Sequence, residues 1–326
     1  MEIILQIFIL IIGFILLIKG ADWLVDGASS VASNFKVSKL LIGLTIVAFG
    51  TGAPELAVSF SSLINGSTDI LIGNVIGSNI INVLLLIGIA AVIRPIKVKK
   101  DTVFKELPLL LLISTALIVL LLDTKLADAV INTFSRADAF ICLLFFGIFL
   151  YYLIAMAKKN RRGKSSKNEI EKPKYKIGKS FLLVVLGLIG VVGGSELVVD
   201  SASTIANAIG ISERIISLSV IAFGTSLPEL VTTITAAKKG ESDLLVGNIV
   251  GSNIFNICIV LALPVAIAGS ITPNNFQAID LVMLIFSSFL LCFLARKDHK
   301  ITRSEGILML LVFAIYYSYI AYGAFI

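Results

Sequence analysis

The sequence predicts an all-α polytopic membrane protein of ten transmembrane helices, arranged as two inverted five-helix repeats with broken helices 2, 3, 7 and 8 forming a central site. Three observations lead there. Of the 326 residues, 57% are hydrophobic and 15% charged, with a mean hydropathy of +1.01, a balance foreign to soluble globular chains. Apolar runs of about 20 residues, enough to cross a hydrocarbon core of roughly 30 Å, recur from end to end. The chain also contains part of itself twice: residues 44–82 align with 218–256 without a gap, giving 18 identities in 39 positions at a constant offset of 174.

Spans are expected at 3–31, 38–64, 70–93, 107–122, 138–157, 179–208, 213–237, 244–268, 278–295 and 304–325. The opening MEIILQIFILIIGF has an acidic residue, no basic n-region and no small-residue cleavage site after it, so it reads as a retained first helix. Spans one and six are long for one crossing and should tilt. Both carry acids at the same offset, Asp22 and Asp26 against Glu196 and Asp200, which places a helix end near the interface or a water-filled vestibule there.

The polar stretch KKNRRGKSSKNEIEKPKYKIGK divides the chain into a first repeat (1–157), a basic linker (158–178) and a second repeat (179–326). Loops on the linker's side hold 23 Lys and Arg residues, while the side with both termini holds only Lys125, Arg136 and Arg214. The excess puts the linker in the cytoplasm and both termini outside a cell (plasma) membrane. Five spans per half then force the two copies into opposite orientations, the arrangement of secondary transporters with a mid-membrane site at the repeat interface.

The chemistry lies in two pairs of copied blocks: AFGTGAPELAVS (48–59) with AFGTSLPELVTT (222–233), and GNVIGSNIIN (73–82) with GNIVGSNIFN (247–256). Pro54 and Pro228 lack a backbone donor and crowd the carbonyls of Gly50 and Gly224, so each block should kink or break its helix and free carbonyls around Ala48 and Ala222. In lipid, such groups must face protein, water or a ligand. Ala48, Thr51 or Gly52, and Glu55 recur at i, i+3/i+4, i+7, one face offering carbonyl, hydroxyl and carboxylate oxygens. All-oxygen sets suit hard cations such as Ca²⁺ and Na⁺.

In the partner blocks, Gly73/Gly77 and Gly247/Gly251 allow close helix approach. Ser78 with Asn82, and Ser252 with Asn256, add neutral oxygens at i, i+4. Asn74, Asn79, Asn248 and Asn253 are either further ligands or interhelical hydrogen-bond makers. A carboxylate in mid-membrane costs roughly 2.5 kcal/mol or more and usually marks an ion or proton path. No Lys or Arg lies inside spans two, three, seven or eight away from their ends, so ion pairing is poorly supplied to Glu55 and Glu229. Two glutamates brought together repel unless a cation or proton lies between them. One Ca²⁺ or two Na⁺ neutralise both, which is the logic of an exchanger.

At these residues the chain resembles the cation/calcium exchanger superfamily, and most of all its prokaryotic sodium/calcium exchanger branch. The four blocks, in this order and register within an inverted ten-helix frame, carry the resemblance, which covers nearly the whole chain. It implies that Glu55 and Glu229 are ligands shared by Ca²⁺ and Na⁺, and that Thr51 and Thr225 supply further oxygens to Ca²⁺. It implies flanking Na⁺ sites that use the carbonyls of Ala48 and Ala222 and the hydroxyls of Ser226, Ser78 and Ser252. It also implies that the long first helix of each half slides across the other eight.

Two departures qualify the resemblance. Gly52-Ala53 stands where the commoner pattern has Ser-Leu, so one Na⁺ site loses a hydroxyl and the Na⁺ stoichiometry is open. Both GSNIxN blocks end in Asn, Asn82 and Asn256, where potassium-dependent relatives carry Asp in the second, so potassium dependence is not expected.

The reading is therefore an antiporter with Ca²⁺ and Na⁺ as substrates, the bilayer as its surroundings, no cofactor and no nucleic-acid partner; a monomer suffices for it. A proton-driven cation exchanger using the same glutamates is the nearest alternative. An intramembrane hydrolase would need a nucleophile–base pair or a metal set such as HExxH, and the single histidine, His299, lies in the loop ARKDHK. A channel would conduct without a counter-ion. Cys142, Cys258 and Cys292 lie in apolar runs without CxxC spacing and read as packing thiols.

Overall fold

The structure, a computed structural model, describes residues 2–126, 130–162, 173–208, 222–272 and 278–325. Residues 163–172 of the expected linker, and 213–221 of the expected seventh span with Arg214, lie outside them. Helices account for nearly all of it, because a segment in hydrocarbon must satisfy its backbone groups within itself. Among the described residues, eight helices are long and apolar enough to cross a membrane, and a ninth span results if a bent pair is taken as one.

Contacts divide the chain into two compact units, Met1–Pro54 with Ala157–Asn248, and Glu55–Met156 with Ile249–Ile326. Each draws on both sequence halves. The first unit is built on α1 (Glu2–Phe35) and α10 (Ile177–Ala208), numbering helices along the chain. Both are apolar over most of their length and interrupted by glycines. Gly13 meets Gly194, Gly20 meets Gly187 and Gly190, and Gly27 meets Ser180 and Val184, so the two helices run antiparallel. At Gly20 an added Cβ would stand 2.6 Å from the backbone nitrogen of Val191, and at Gly187 one would stand 2.6 Å from that of Leu24. Only glycine permits backbones this close. The contacts are reciprocal under the 174-residue offset, which takes Gly13 and Gly20 to Gly187 and Gly194.

The same unit holds α2 (Lys39–Ile42), a π-turn Gly43–Val47, α3 (Ala48–Thr51), α11 (Ala222–Gly224) and α12 (Leu227–Lys239). The α12 C-terminus is tied to α1 by Lys239, whose Nζ lies 2.8 Å from Asp26 Oδ1 and 3.3 Å from Asp22 Oδ1. Lys174, in the last part of the linker, reaches Asp26 Oδ2 at 2.7 Å, and this hydrogen bond holds its ammonium above the ordinary lysine range. Asp22 and Asp26 are thus ion-paired and half-buried, whereas their copies Glu196 and Asp200 are exposed.

The second unit contains α4 (Ala53–Ile64, from Glu55 on), α5 (Thr68–Ile80), a π-turn Ile81–Leu86, α6 (Ile87–Ile93), α7 (Leu107–Leu120), α8 (Asp123–Leu126) and α9 (Arg136–Arg162, to Met156). It also takes α13 (Ser242–Phe255) from Ile249, a π-turn Asn256–Leu261, α14 (Ala262–Ala268), α15 (Ala278–Asp298) and α16 (Arg303–Phe325). A two-stranded ribbon, β1 (Ile96–Lys97) against β2 (Lys300–Ile301), closes one end with Ile96 opposite Ile301.

The fourth helical run starts earlier than the expected 107: a π-turn spans Thr102–Glu106. Glu106, at the end of this turn, is buried, and the Tyr152 hydroxyl donates to it.

Leucine at Gly20 should split the α1–α10 contact. Overpacking costs about 1–3 kcal/mol, and more where only backbone lies opposite. The Gly20→Leu variant should lose thermal stability in detergent, while Gly147→Ala in α9, where nothing lies within 4 Å of the added methyl, should not. Equal midpoints for Gly20→Leu and wild type would contradict the contact.

Candidate functional site

Each unit holds one buried motif glutamate. In the first, the Lys39–Thr51 helical run ends at Gly52, and a bend of 44° separates it from α4. Pro54 and Pro228 both fall in the first turn of a helix, where a missing N–H costs nothing, so each starts a new helix beyond the break instead of kinking a continuous one. The break leaves less unsatisfied than the motif suggests. The Gly52 N–H donates to the Ala48 carbonyl at 3.0 Å, so that carbonyl retains a donor. Ala222 begins α11, and its side chain lies outside the described ones.

Glu229, 1% exposed, lies in the first turn of α12, where the helix N-terminus favours negative charge. Its carboxylate faces the hydroxyl of Thr51, itself fully buried at the end of α3. Thr51 Oγ1 also donates to the Val47 carbonyl at 3.0 Å and lies 3.4 Å from Oδ1 of buried Asn248. Thr225 occupies the turn between α11 and α12 and is half-buried. Ser226 holds the N-cap position of α12 but forms no cap bond, and its hydroxyl is buried without a hydrogen-bond partner among the described residues.

In the second unit, Glu55 is 1% exposed, and its backbone carbonyl accepts from Asn74 Nδ2 at 3.2 Å. Asn74 also donates to Ser59 Oγ at 3.3 Å. Ser78 on α5 and Ser252 on α13 are buried. Asn82 and Asn256 lie on the two π-turns, irregularities that often accompany functional positions. They end a network of four buried amides. Asn79 Nδ2 donates to the Asn253 carbonyl and Asn253 Nδ2 to the Asn79 carbonyl, both at 3.3 Å. Asn82 Nδ2 donates to Asn253 Oδ1 at 3.0 Å and Asn256 Nδ2 to Asn79 Oδ1 at 3.1 Å. The 174-residue offset maps this network onto itself. Asn82 Oδ1 and Asn256 Oδ1 are left buried with no hydrogen bond among the described residues.

Asn79 and Asn253 are thus interhelical hydrogen-bond makers, one of the two roles their sequence allows. Asn248 joins Thr51, a pairing hinted at only by its repeat of the GN dipeptide. Two hydroxyls beyond the motif, Thr232 and Thr233, are each 1% exposed and partnerless among the described residues. Their signal was the three- and four-residue spacing from Glu229 in PELVTT.

Comparison with known proteins follows the same blocks. A family profile described as sodium/calcium exchanger protein matches residues 5–155 and 179–322. The inner membrane protein YrbG of Escherichia coli (strain K12) is 38% identical over 311 residues, covering 92% of each chain. The putative antiporter CaxA of Alkalimonas amylolytica is 37% identical over 327 residues, covering 98% of each. A solved structure of the sodium-calcium exchanger NCX_Mj, soaked with Na⁺ and Sr²⁺, is 35% identical with a TM-score of 0.83, covering 97% of this chain and 98% of that one.

Asn253→Ala should remove the acceptor of Asn82 and strand a buried amide, at about 1–3 kcal/mol. Asn79→Ala should do the same to Asn256. Since the substitutions break one shared network, the double variant should lose less stability than the sum of the singles. Additive losses in thermal or denaturant unfolding would mean that the four amides do not act together.

Proposed function

The chain belongs to the sodium/calcium exchanger family, and from that premise we propose that it is a secondary active antiporter exchanging Ca²⁺ for Na⁺ by alternating access, with Glu55 and Glu229 as shared cation ligands. It is a multi-pass integral membrane protein. The observation that carries the reading is a set of buried oxygens that accept no hydrogen bond among the described residues: Glu229 Oε2, Ser226 Oγ, Asn82 Oδ1 and Asn256 Oδ1. Burying a polar atom without a partner is costly unless a ligand satisfies it. These are oxygens only, the preference of hard cations.

The proposed ligand set joins to them Thr51, Thr225, Ser78, Ser252 and the carbonyls of Ala48 and Ala222. Two glutamates carry a charge that one Ca²⁺ or two Na⁺ neutralise, so the two loads exclude one another and are exchanged.

The reading includes ten spans in two inverted repeats, 1–157 and 179–326, with broken helices 2, 3, 7 and 8, a cytoplasmic linker at 158–178 and both termini outside. Its support is the set of reciprocal contacts at the 174 offset, Gly13–Gly194 with Gly20–Gly187 in one unit and the asparagine network in the other. A monomer is sufficient.

Ca²⁺ uptake into sealed proteoliposomes preloaded with Na⁺, compared with equal Na⁺ on both sides, tests the antiport. Uptake should require the outward Na⁺ gradient, and Glu55→Gln or Glu229→Gln should each reduce it to background while the protein still folds. Uptake that ignores Na⁺ but follows an imposed pH gradient would transfer the same glutamates to a proton-driven exchanger. Wild-type flux in either Gln variant would sink the shared-ligand assignment. Gly52→Ser, which copies Ser226 into the first half, should strengthen Na⁺ competition against Ca²⁺; an unchanged Na⁺ dependence would mean the hydroxyl at this position is not used.

A further inference from the structure

On α12 the orphaned oxygens do not stop at the motif. Glu229, Thr232, Thr233 and Ala236 recur at i, i+3, i+4, i+7 and are all buried, forming one face of the helix. Ser226 Oγ, Glu229 Oε2, Thr232 Oγ1 and Thr233 Oγ1 are buried without hydrogen-bond partners among the described residues. For a threonine in a helix this is unusual, because its hydroxyl can bond the carbonyl four residues back. Elsewhere in this chain it does so: Thr45 to Leu41 at 2.7 Å, Thr51 to Val47 at 3.0 Å, Thr115 to Leu111 at 2.7 Å and Thr204 to Asp200 at 2.8 Å. Thr232 and Thr233 forgo that bond in a buried setting.

The first half has no such column. At the 174-residue offset, Ser226 corresponds to Gly52, Thr232 to Val58 and Thr233 to Ser59. Gly52 and Val58 bring no hydroxyl, and Ser59 Oγ accepts from Asn74 at 3.3 Å. Of these offset-matched positions, only those of the second copy hold partnerless hydroxyls, and the shared fold does not explain them.

We propose that Thr232 and Thr233, with the Glu229 carboxylate, form an additional subsite for a dehydrated, Na⁺-sized monovalent cation, one turn along α12 from the motif. The proposal rests on the reading of Glu229 as a cation ligand. Thr233 lies ~6 Å beyond Glu229 along the axis at 1.5 Å per residue, so a cation there stays within the field of the carboxylate. One carboxylate and two hydroxyls underfill Ca²⁺, which takes six to eight oxygens. They match a single charge. The subsite sits in the half that retains the motif hydroxyl and supplies Na⁺ ligands that Gly52 does not.

The test reads binding apart from transport. Purified full-length protein in detergent is melted against increasing NaCl, with choline chloride holding ionic strength constant, and separately against CaCl₂ in Na⁺-free buffer. A cation that binds the native form raises the midpoint with a concentration dependence set by its affinity. Thr232→Val with Thr233→Val should raise the half-effect Na⁺ concentration about tenfold, the change equivalent to about 1.4 kcal/mol, and leave the Ca²⁺ curve in place. Thr232→Ser with Thr233→Ser, which keeps both hydroxyls, should restore the Na⁺ curve.

An unchanged Na⁺ curve in the Val variant would overturn the subsite, as would no Na⁺ response in the wild type. Equal displacement of both curves, or no rescue by Ser, would reduce the hydroxyls to packing. Should the double variant not fold, Thr232→Val alone is measured, since the first copy carries Val58 there. Failure of Na⁺-driven Ca²⁺ uptake with the Na⁺ melting shift intact would remove the antiport and leave the subsite standing.

Discussion

A polar group buried in a membrane-spanning core has no water to fall back on, and that constraint orders the site. The asparagine network shows it in its simplest form. Asn79, Asn82, Asn253 and Asn256 each spend their amide nitrogen on another member of the group or on a backbone carbonyl. Each of these bonds uses one N–H of a side-chain amide, and at the two ends of the network Asn82 Oδ1 and Asn256 Oδ1 are buried without a donor among the described residues. Each of these unmatched amide oxygens favours a cation over an anion before any carboxylate is counted. The π-turns carrying Asn82 and Asn256 belong to the same device, since each widens its helix at the residue whose oxygen is presented.

Duplication supplies the parts, but the copies have not remained equal. Asp22 and Asp26 are locked by Lys239 and Lys174, while the position matching Lys239 in the first half is Asn65 and the acids matching Asp22 and Asp26 stand exposed. Gly52 faces Ser226 across the offset, and Val58 faces Thr232. The backbone-level features are kept in both copies: reciprocal glycine contacts, prolines starting the second helix of each block, a π-turn at each asparagine. What differs are neutral side chains and surface charges. That division follows from cost. A side chain in place of Gly20 collides with backbone, whereas exchanging Val for Thr at a buried helical position keeps the volume and changes only one polar atom.

The sequence made the spans legible because lipid imposes length and apolarity on every one, and the ends of most lie within a few residues of expectation. It was less informative where a local rule was overridden from elsewhere in the chain. The fourth span is expected from 107, but a π-turn at Thr102–Glu106 precedes it, with buried Glu106 accepting from the Tyr152 hydroxyl. The proline motifs gave no sign that Gly52 would return a donor to the Ala48 carbonyl. Each compact unit takes helices from both sequence halves, and in one of them the glycines of α1 lie against α10, which carries their copies from the other half. Periodicity shows which face a residue occupies; it does not show whether a threonine hydroxyl bonds its own helix, and Thr232 and Thr233 escaped notice for that reason.

The acids and the neutral oxygens perform different tasks, and this separates what is fixed from what can vary. A buried carboxylate must be neutralised by a cation or a proton, because its charge cannot stay unpaired in a medium without counter-ions. Hydroxyl and amide oxygens add no charge and set only how many ligands each cation finds, and so which ion fits and how many. Retention of Glu55 and Glu229 beside divergence at Gly52/Ser226 and Val58/Thr232 is the pattern expected if charge balance is the invariant and coordination number the adjustable quantity. On the proposed reading, affinity and stoichiometry for a singly charged ion can drift by exchanging one hydroxyl for a methyl, with the fold and the proposed divalent site undisturbed.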